Sequence, residues 1–171
     1  DNVYAMDYEA MIRYHIENGA QMTMATIPVP MDEASRYGIV GVEPDNRVVT
    51  FVEKPSKPPS NLANMGVYLF NTALLDNALW EDHLRSDSSH DFGKDIIPHL
   101  IKTGEKVYAY PYNGYWVDVG TVNSYWQAHM DLLTPDKPIN LYDRNWVIHT
   151  RTEERAPMWF EHAAQIEDSM V

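Results

Sequence analysis

The sequence predicts an α/β layer fold, on three observations. Apolar residues recur at helical spacing in some segments and alternate or run together in others. These helix-like and strand-like segments are interleaved through residues 7–133 rather than segregated. Gly or Pro punctuates most of the changeovers. At 171 residues, 44% of them hydrophobic, the chain can form one domain, or most of one, around a buried core.

The elements follow in order. Residues 7–18 are expected to form a helix: Tyr8, Met11, Ile12 and Ile16 fall near one face, Asp7 can cap the start and Gly19 can end it. Residues 22–27 alternate weakly and are rich in Thr, Met and Ile, a strand stopped by Pro28 and Pro30. Residues 38–43 and 47–53 flank Pro44-Asp45-Asn46, which reads as a hairpin. A Pro/Ser loop over 54–61 leads to a short apolar run, 65–70, expected as a buried strand. Helices are expected over 72–79 and 91–102, the second ended by Gly104, and strands over 106–110 and 116–119. The clearest helix is 121–133, with Thr121 as N-cap, Val122, Tyr125, Trp126, His129 and Leu133 on one face, and Pro135 beyond its end. After Pro138 periodicity fades, so residues 139–160 read as an extended linker, and residues 164–171 resemble one rung of a β-solenoid. One rung cannot establish a repeat, because stacking needs about three units.

Composition narrows the function. A net charge of -12, with the densest basic stretch (144–155) broken by Glu153 and Glu154, argues against a nucleic-acid partner. An acidic chain can still hold a phosphate through a positioned lysine or a divalent metal. With no cysteine, a disulfide framework, a thiolate metal site and a cysteine nucleophile are excluded, and a cytoplasmic location fits. No apolar run approaches the ~20 residues of a membrane span. The seven histidines show no metal-ligand spacing, and His15 and His129 fall on helix faces as packing or surface residues. Neither a Gly-x-Ser-x-Gly motif nor a Gly-rich phosphate loop occurs.

Three phrases carry the chemistry: Phe51-Val52-Glu53-Lys54-Pro55, Ser88-Ser89-His90-Asp91-Phe92-Gly93-Lys94-Asp95 and Tyr115-Trp116-Val117-Asp118-Val119-Gly120-Thr121. Asp1 and Asp118 could meet where strands end and hold Mg²⁺, which takes oxygen ligands and keeps water and substrate phosphate in its shell. Alternatively Asp118 helps cap the following helix and Asp1 is a solvated terminus. Lys54 is a compact cation suited to a phosphate, Glu53 can accept hydrogen bonds from sugar hydroxyls, and Pro55 should hold the residue before it extended. The alternative is an exposed charged pair. Asp91 and Phe92 open a helix whose N-terminus could serve a ligand, or simply be capped by Ser89 or Asp91. Trp116, beside Asp118, is the tryptophan expected near a sugar face.

Together the phrases resemble the sugar nucleotidyltransferases, and within them the glucose-1-phosphate adenylyltransferase family. Residues 4–20, Pro28-Val29-Pro30 with the segment 33–38, and Asn140-Leu141-Tyr142-Asp143-Arg144-Asn145-Trp146 add to the match, which covers nearly the whole chain. The resemblance implies a partial Rossmann-like (GT-A-like) nucleotidyltransferase domain with a mixed sheet over residues 1–137, a linker over 138–160, and the start of a C-terminal left-handed β-helix over 161–171. It implies ATP and α-D-glucose 1-phosphate as substrates, ADP-glucose and pyrophosphate as products, and a role in glycogen- or starch-type glucan biosynthesis. Attack on the α-phosphorus would be in line, helped by positioning and by Mg²⁺. Asp1 and Asp118 match the metal-binding aspartates, and Lys54 the lysine on the sugar phosphate. Glu53, Tyr68, Asp91, Phe92 and Trp116 match the sugar pocket, with Gly66 allowing close backbone approach. The full-length enzyme would be an allosteric homotetramer.

Two departures qualify this. The family has Ser-Met-Gly where this chain has Asn64-Met65-Gly66; Asn64 supplies both a donor and an acceptor, so sugar contact can persist. The nucleotide loop belongs ahead of Asp1 and the β-helix beyond Val171, so the chain reads as the middle of a larger enzyme that alone should not turn over. Two other readings remain at this stage: a uridylyl- or guanylyltransferase of the same fold, and a non-catalytic regulatory subunit. Retention of Asp1, Lys54 and Asp118 favours catalysis.

Overall fold

Strands form where β-branched and aromatic residues alternate, and helices where Ala, Leu and Glu recur between caps. The computed structural model describes residues 1–141, 143–149, 159–162 and 164–167. Its elements run β1 (Asn2–Tyr4), α1 (Tyr8–Glu17), β2 (Met22–Pro28), β3 (Gly38–Val42), β4 (Val48–Glu53), β5 (Leu62–Phe70), α2 (Thr72–His83), α3 (Ile97–Lys102), β6 (Val107–Pro111), β7 (Trp116–Asp118) and α4 (Val122–Leu133). The chain divides into two units, Met6–Asn113 and a smaller one made of Asp1–Ala5 with Gly114–Val171.

The larger unit is built on a five-stranded sheet of order β4-β3-β5-β2-β6. The sheet is mixed, as expected: β2 runs parallel to β6 and antiparallel to β5, and β3 and β4 form the anticipated hairpin. Asn46, at φ 66, supplies the left-handed residue that this turn needs. The main core joins Met22, Met24, Val40, Val48, Phe51 and Val107 from the strands to Ala78 of α2 and Ile97 and Leu100 of α3. Each large side chain fully buried in this way contributes about 1.5–3 kcal/mol relative to exposure. A second cluster, Ala34, Ile39 and Ala63, is flanked by Ile27, Val29 and Tyr37.

Asp7 caps α1 through its Oδ1, which accepts the N–H groups of Glu9 and Ala10. The face that α1 buries is not quite the expected one: Met11 is buried together with His15, whereas Tyr8, Ile12 and Ile16 are largely exposed. His15 packs as a satisfied polar residue, bonded to Thr23 and Asn71. β5 starts earlier than the apolar run suggests, because Leu62 and Ala63 pair with Pro28 and Ile27 of β2. It is also only partly buried, with Ala63 and Met65 inside. α2 continues past the expected residue 79 to His83.

The helix expected over 91–102 is two pieces, a π turn (Phe92–Ile96) and then α3. The carbonyl of Asp91 accepts from both Asp95 N–H and Ile96 N–H, which widens the first turn. Pro98 has no N–H to give an earlier carbonyl, and it is accommodated in the first turn of α3, where that donor would be unpaired anyway.

In the smaller unit β1 and β7 form a two-stranded antiparallel ladder. β1 was not foreseen, since three residues are too few to show a period. α4 is capped as expected, by Thr121 with Ser124 completing a capping box. Its expected apolar stripe is nevertheless exposed at Val122, Tyr125 and Trp126, and the buried residue is the small Ala128. Among the described residues beyond 138 there are turns but no helix or strand. Of the expected solenoid rung, 164–167 form no strand, and 168–171 lie outside the described residues, as do 142, 150–158 and 163. No helix among the described residues is long and apolar enough to cross a membrane.

Candidate active site

Seven of the expected residues, Glu53, Lys54, Asn64, Gly66, Tyr68, Asp91 and Phe92, lie in the larger unit. β5 carries a bulge opposite β2: Met24 pairs with Tyr68 and Thr26 with Asn64, so four steps along β5 match two along β2. Gly66 lies inside that bulge at φ 76, a conformation open to glycine without strain. The bulge lets two residues of one strand bond to each other. Asn64 Nδ2 donates to Tyr68 Oη at 2.6 Å, and Asn64 Oδ1 accepts the Gly66 N–H at 3.1 Å. Asn64 thus keeps one Nδ2 hydrogen, and the Tyr68 hydroxyl, accepting in this bond, has its own hydrogen left to donate. Burial raises the Tyr68 pKa, and the Glu53 and Asp91 carboxylates push it further, against the lowering effect of the Asn64 bond. The phenol therefore stays protonated at neutral pH.

Phe92 lies against this tyrosine, with ring centroids 6.1 Å apart and an interplanar angle of 17°. Phe70 approaches both rings edgewise or tilted. Asp91 caps the π turn through Oδ1, which accepts the Gly93 and Lys94 N–H groups at 2.9 Å each. The expected capping role is therefore real, and it engages a single carboxylate oxygen.

Glu53 ends β4 beside these groups. Two glycines make room for its carboxylate: a Cβ on Gly93 would lie 2.8 Å from Glu53 Oε2, and one on Gly38 would lie 2.8 Å from the same oxygen and 2.6 Å from Phe51 Cζ. Lys54 follows at φ 46, left-handed rather than extended as Pro55 led us to expect, with its N–H on the Tyr37 carbonyl at 3.1 Å. Its Nζ is 4.0 Å from Glu53 Oε1, the outer limit of an ion pair.

Asp1, Trp116 and Asp118 belong to the smaller unit. Asp118 pairs with Asn2 across the β1–β7 ladder, and the carbonyl of Asp1 accepts the Val119 N–H at 2.9 Å. Asp1 lies one residue before the ladder, so strand alternation does not dictate where its carboxylate points. Asp118 Oδ1 accepts the Gly120 N–H at 3.2 Å, while the cap of α4 is Thr121. The alternative role for Asp118 is therefore a local turn contact, not the helix cap. Trp116 pairs with Tyr4 in the ladder.

Sequence reasoning missed Gly38 and Gly93 as the space around Glu53, Phe70 as the third ring, and Asp82, which is buried and bonded to Ser88 and His90. Gly93 stood within a quoted phrase, but its reason is a side chain 40 positions away. Asp82 carried no signal in the sequence.

A nucleotidyl transferase family matches residues 1–135. The chain is 47% identical over all of its 171 residues to a glucose-1-phosphate adenylyltransferase of Bacillus mycoides, covering 46% of that relative. It is 46% identical to the enzyme of that name from Geobacillus stearothermophilus, covering 44% of it. For the one from Fervidobacterium nodosum the identity is 44% and the coverage 41%. The chain thus spans less than half the length of these relatives. With the family match covering most of its length, the chain belongs to the nucleotidyl transferase family.

Proposed function

We propose that these residues are the sugar-phosphate part of an adenylyltransferase that joins ATP and α-D-glucose 1-phosphate into ADP-glucose and pyrophosphate for glucan synthesis. The observation that carries this reading is the ring of Glu53, Tyr68 and Asp91 beside the stacked Phe92, with Lys54 next in the chain. Carboxylates and a phenol O–H are acceptors and a donor for sugar hydroxyls, and an aromatic face suits a sugar ring. The names of the relatives support the choice of ATP and glucose 1-phosphate.

In this reading Glu53, Tyr68, Asp91 and Phe92 orient the glucosyl group, and Asn64 acts through Tyr68; the sugar-contact role of Trp116 is proposed on the resemblance alone. Lys54 holds the phosphate. A phosphate oxygen of the sugar forms the new bond to the α-phosphorus. The bond to the bridging oxygen breaks, and pyrophosphate departs with the electron pair. Asp1 and Asp118 would hold Mg²⁺. Both are hard oxygen donors of the kind Mg²⁺ takes, and Mg²⁺ usually fills the rest of its shell with water and substrate phosphate. Bound there, Mg²⁺ would neutralise charge developing on the phosphates. The proposal extends to residues 138–160 as a linker, 161–171 as the start of a left-handed β-helix, and the full-length protein as a cytoplasmic, allosteric homotetramer.

The test is product formation by the full-length polypeptide carrying these residues, offered glucose 1-phosphate with ATP, UTP, dTTP or GTP and Mg²⁺. ADP-glucose is expected as the dominant product. Dominance of another sugar nucleotide would replace the adenylyl assignment, and sugar-phosphate binding without any turnover would make this a regulatory subunit.

Gly93→Ala offers a gentler check of the pocket. The added methyl meets the far end of a flexible side chain, so the fold should survive with Tm within a few degrees. The displaced Glu53 carboxylate should raise KM for glucose 1-phosphate about tenfold, a loss of ~1.4 kcal/mol. An unchanged KM would remove Glu53 from the pocket.

A further inference from the structure

Asp82, on the last turn of α2, is a buried carboxylate that takes no part in the pocket as described so far. Both of its oxygens are engaged by one short loop. Oδ1 accepts the Ser88 hydroxyl at 2.6 Å, and Oδ2 accepts His90 Nδ1–H at 2.8 Å. A carboxylate can only accept, so the His90 hydrogen sits on Nδ1. The Ser88 and His90 bonds hold the Asp82 carboxyl below the usual carboxylate range. The loop also closes on itself, because Ser88 Oγ accepts the His90 N–H at 3.0 Å.

His90 stands at φ 58, a left-handed backbone that a histidine adopts only against resistance. The next residue is Asp91, which opens the π turn, and Phe92 follows. On the far side, Asp95 accepts the Ser89 and Asp91 N–H groups and the Ser89 hydroxyl. The strained residue thus lies directly ahead of the two expected sugar contacts on this loop, and a buried anion on another helix holds it there. The His90 ring itself is more than half exposed, so it adds little to the core.

We propose that Asp82 and His90 are positioning residues for the sugar pocket: the buried carboxylate fixes His90 in its left-handed conformation, and that conformation aims Asp91 and Phe92. The inference rests on the sugar-phosphate reading above. Small misplacements of such groups weaken substrate contacts out of proportion to the displacement.

Two variants separate the side chain from the backbone. His90→Gly accepts φ 58 without strain but has nothing to give Asp82. His90→Asn also tolerates a left-handed backbone, and its Nδ2 stands where the histidine Nδ1 stands, so the bond to Asp82 can be rebuilt. In the full-length enzyme, H90G should raise KM for glucose 1-phosphate about tenfold, with kcat and KM for ATP within about twofold. H90N should return KM to within about threefold of the parent. An H90G enzyme with parental KM would overturn the proposal. So would equal losses for both substrates that H90N does not rescue, which would mark the pair as structural glue. If the parent itself does not bind glucose 1-phosphate, the functional reading fails first. Amide exchange at Gly93 and Lys94, read without ligand, then decides the brace alone. Exchange faster in H90G and restored in H90N supports it, and exchange unchanged in H90G sinks it.

Discussion

Asp118→Asn in the full-length enzyme is expected to lower kcat for ADP-glucose formation by about 10³-fold, roughly 4 kcal/mol of transition-state stabilisation, while the fold stays intact. The substitution separates the two roles open to this residue. Its local role is the bond from Gly120 N–H to Oδ1 at 3.2 Å, which an asparagine oxygen can still accept. The helix start does not depend on it, since Thr121 and Ser124 cap α4 reciprocally. What asparagine cannot supply is the negative charge for a divalent cation. Asp118→Ala removes both roles and serves as the reference. If the two variants are equally inactive, and higher Mg²⁺ recovers part of the asparagine enzyme's rate, charge is what matters. An asparagine variant with near-parental kcat would reduce Asp118 to a turn residue and leave the metal without one of its proposed ligands.

The outline of the fold was legible because its signals are local. Asp7 and Thr121 announced two helix starts, Pro44-Asp45-Asn46 the hairpin, and Gly104 the end of α3. What escaped notice depends on partners distant in sequence. β1 is formed by pairing with β7, and the first residues of β5 by pairing with β2 and, at Ala63, with Ile39 of β3. The π turn rests on one carbonyl, that of Asp91, accepting the N–H groups of both Asp95 and Ile96, which no spacing of residue types announces. The site divides in the same way. Glu53, Asp91 and Phe92 were singled out by their motifs and Tyr68 by the resemblance, and the structure brings them together through a bulge that joins Asn64 to Tyr68 and two glycines that leave space for a carboxylate. No periodicity could have shown that Asn64, read as a sugar contact, has its carbonyl and one of its amide hydrogens already engaged within its own strand.

The second large effect belongs to Lys54. Lys54→Ala should raise KM for glucose 1-phosphate about 100-fold, near 2.7 kcal/mol, with a smaller fall in kcat. The structure gives this lysine little else to do. Its side chain is 67% exposed and its ion-pair neighbour among the described residues, Glu53, is 4.0 Å away, a geometry worth about 0–1 kcal/mol at best. Yet its backbone is held at φ 46, ahead of a proline, in a conformation that costs an ordinary residue about 1–2 kcal/mol. A conformation kept at that cost, with so small a return from the side chain, is what the proposed phosphate role would explain. Lys54→Arg should recover only part of the loss, because a planar fork does not replace a compact ammonium at a site shaped for one. Competition by inorganic phosphate gives the independent readout: it should weaken in the alanine variant in step with glucose 1-phosphate, while unphosphorylated glucose should bind both proteins alike. A parental KM in Lys54→Ala, with Tm unchanged or raised, would return Lys54 to the status of a strained surface residue and move the phosphate elsewhere.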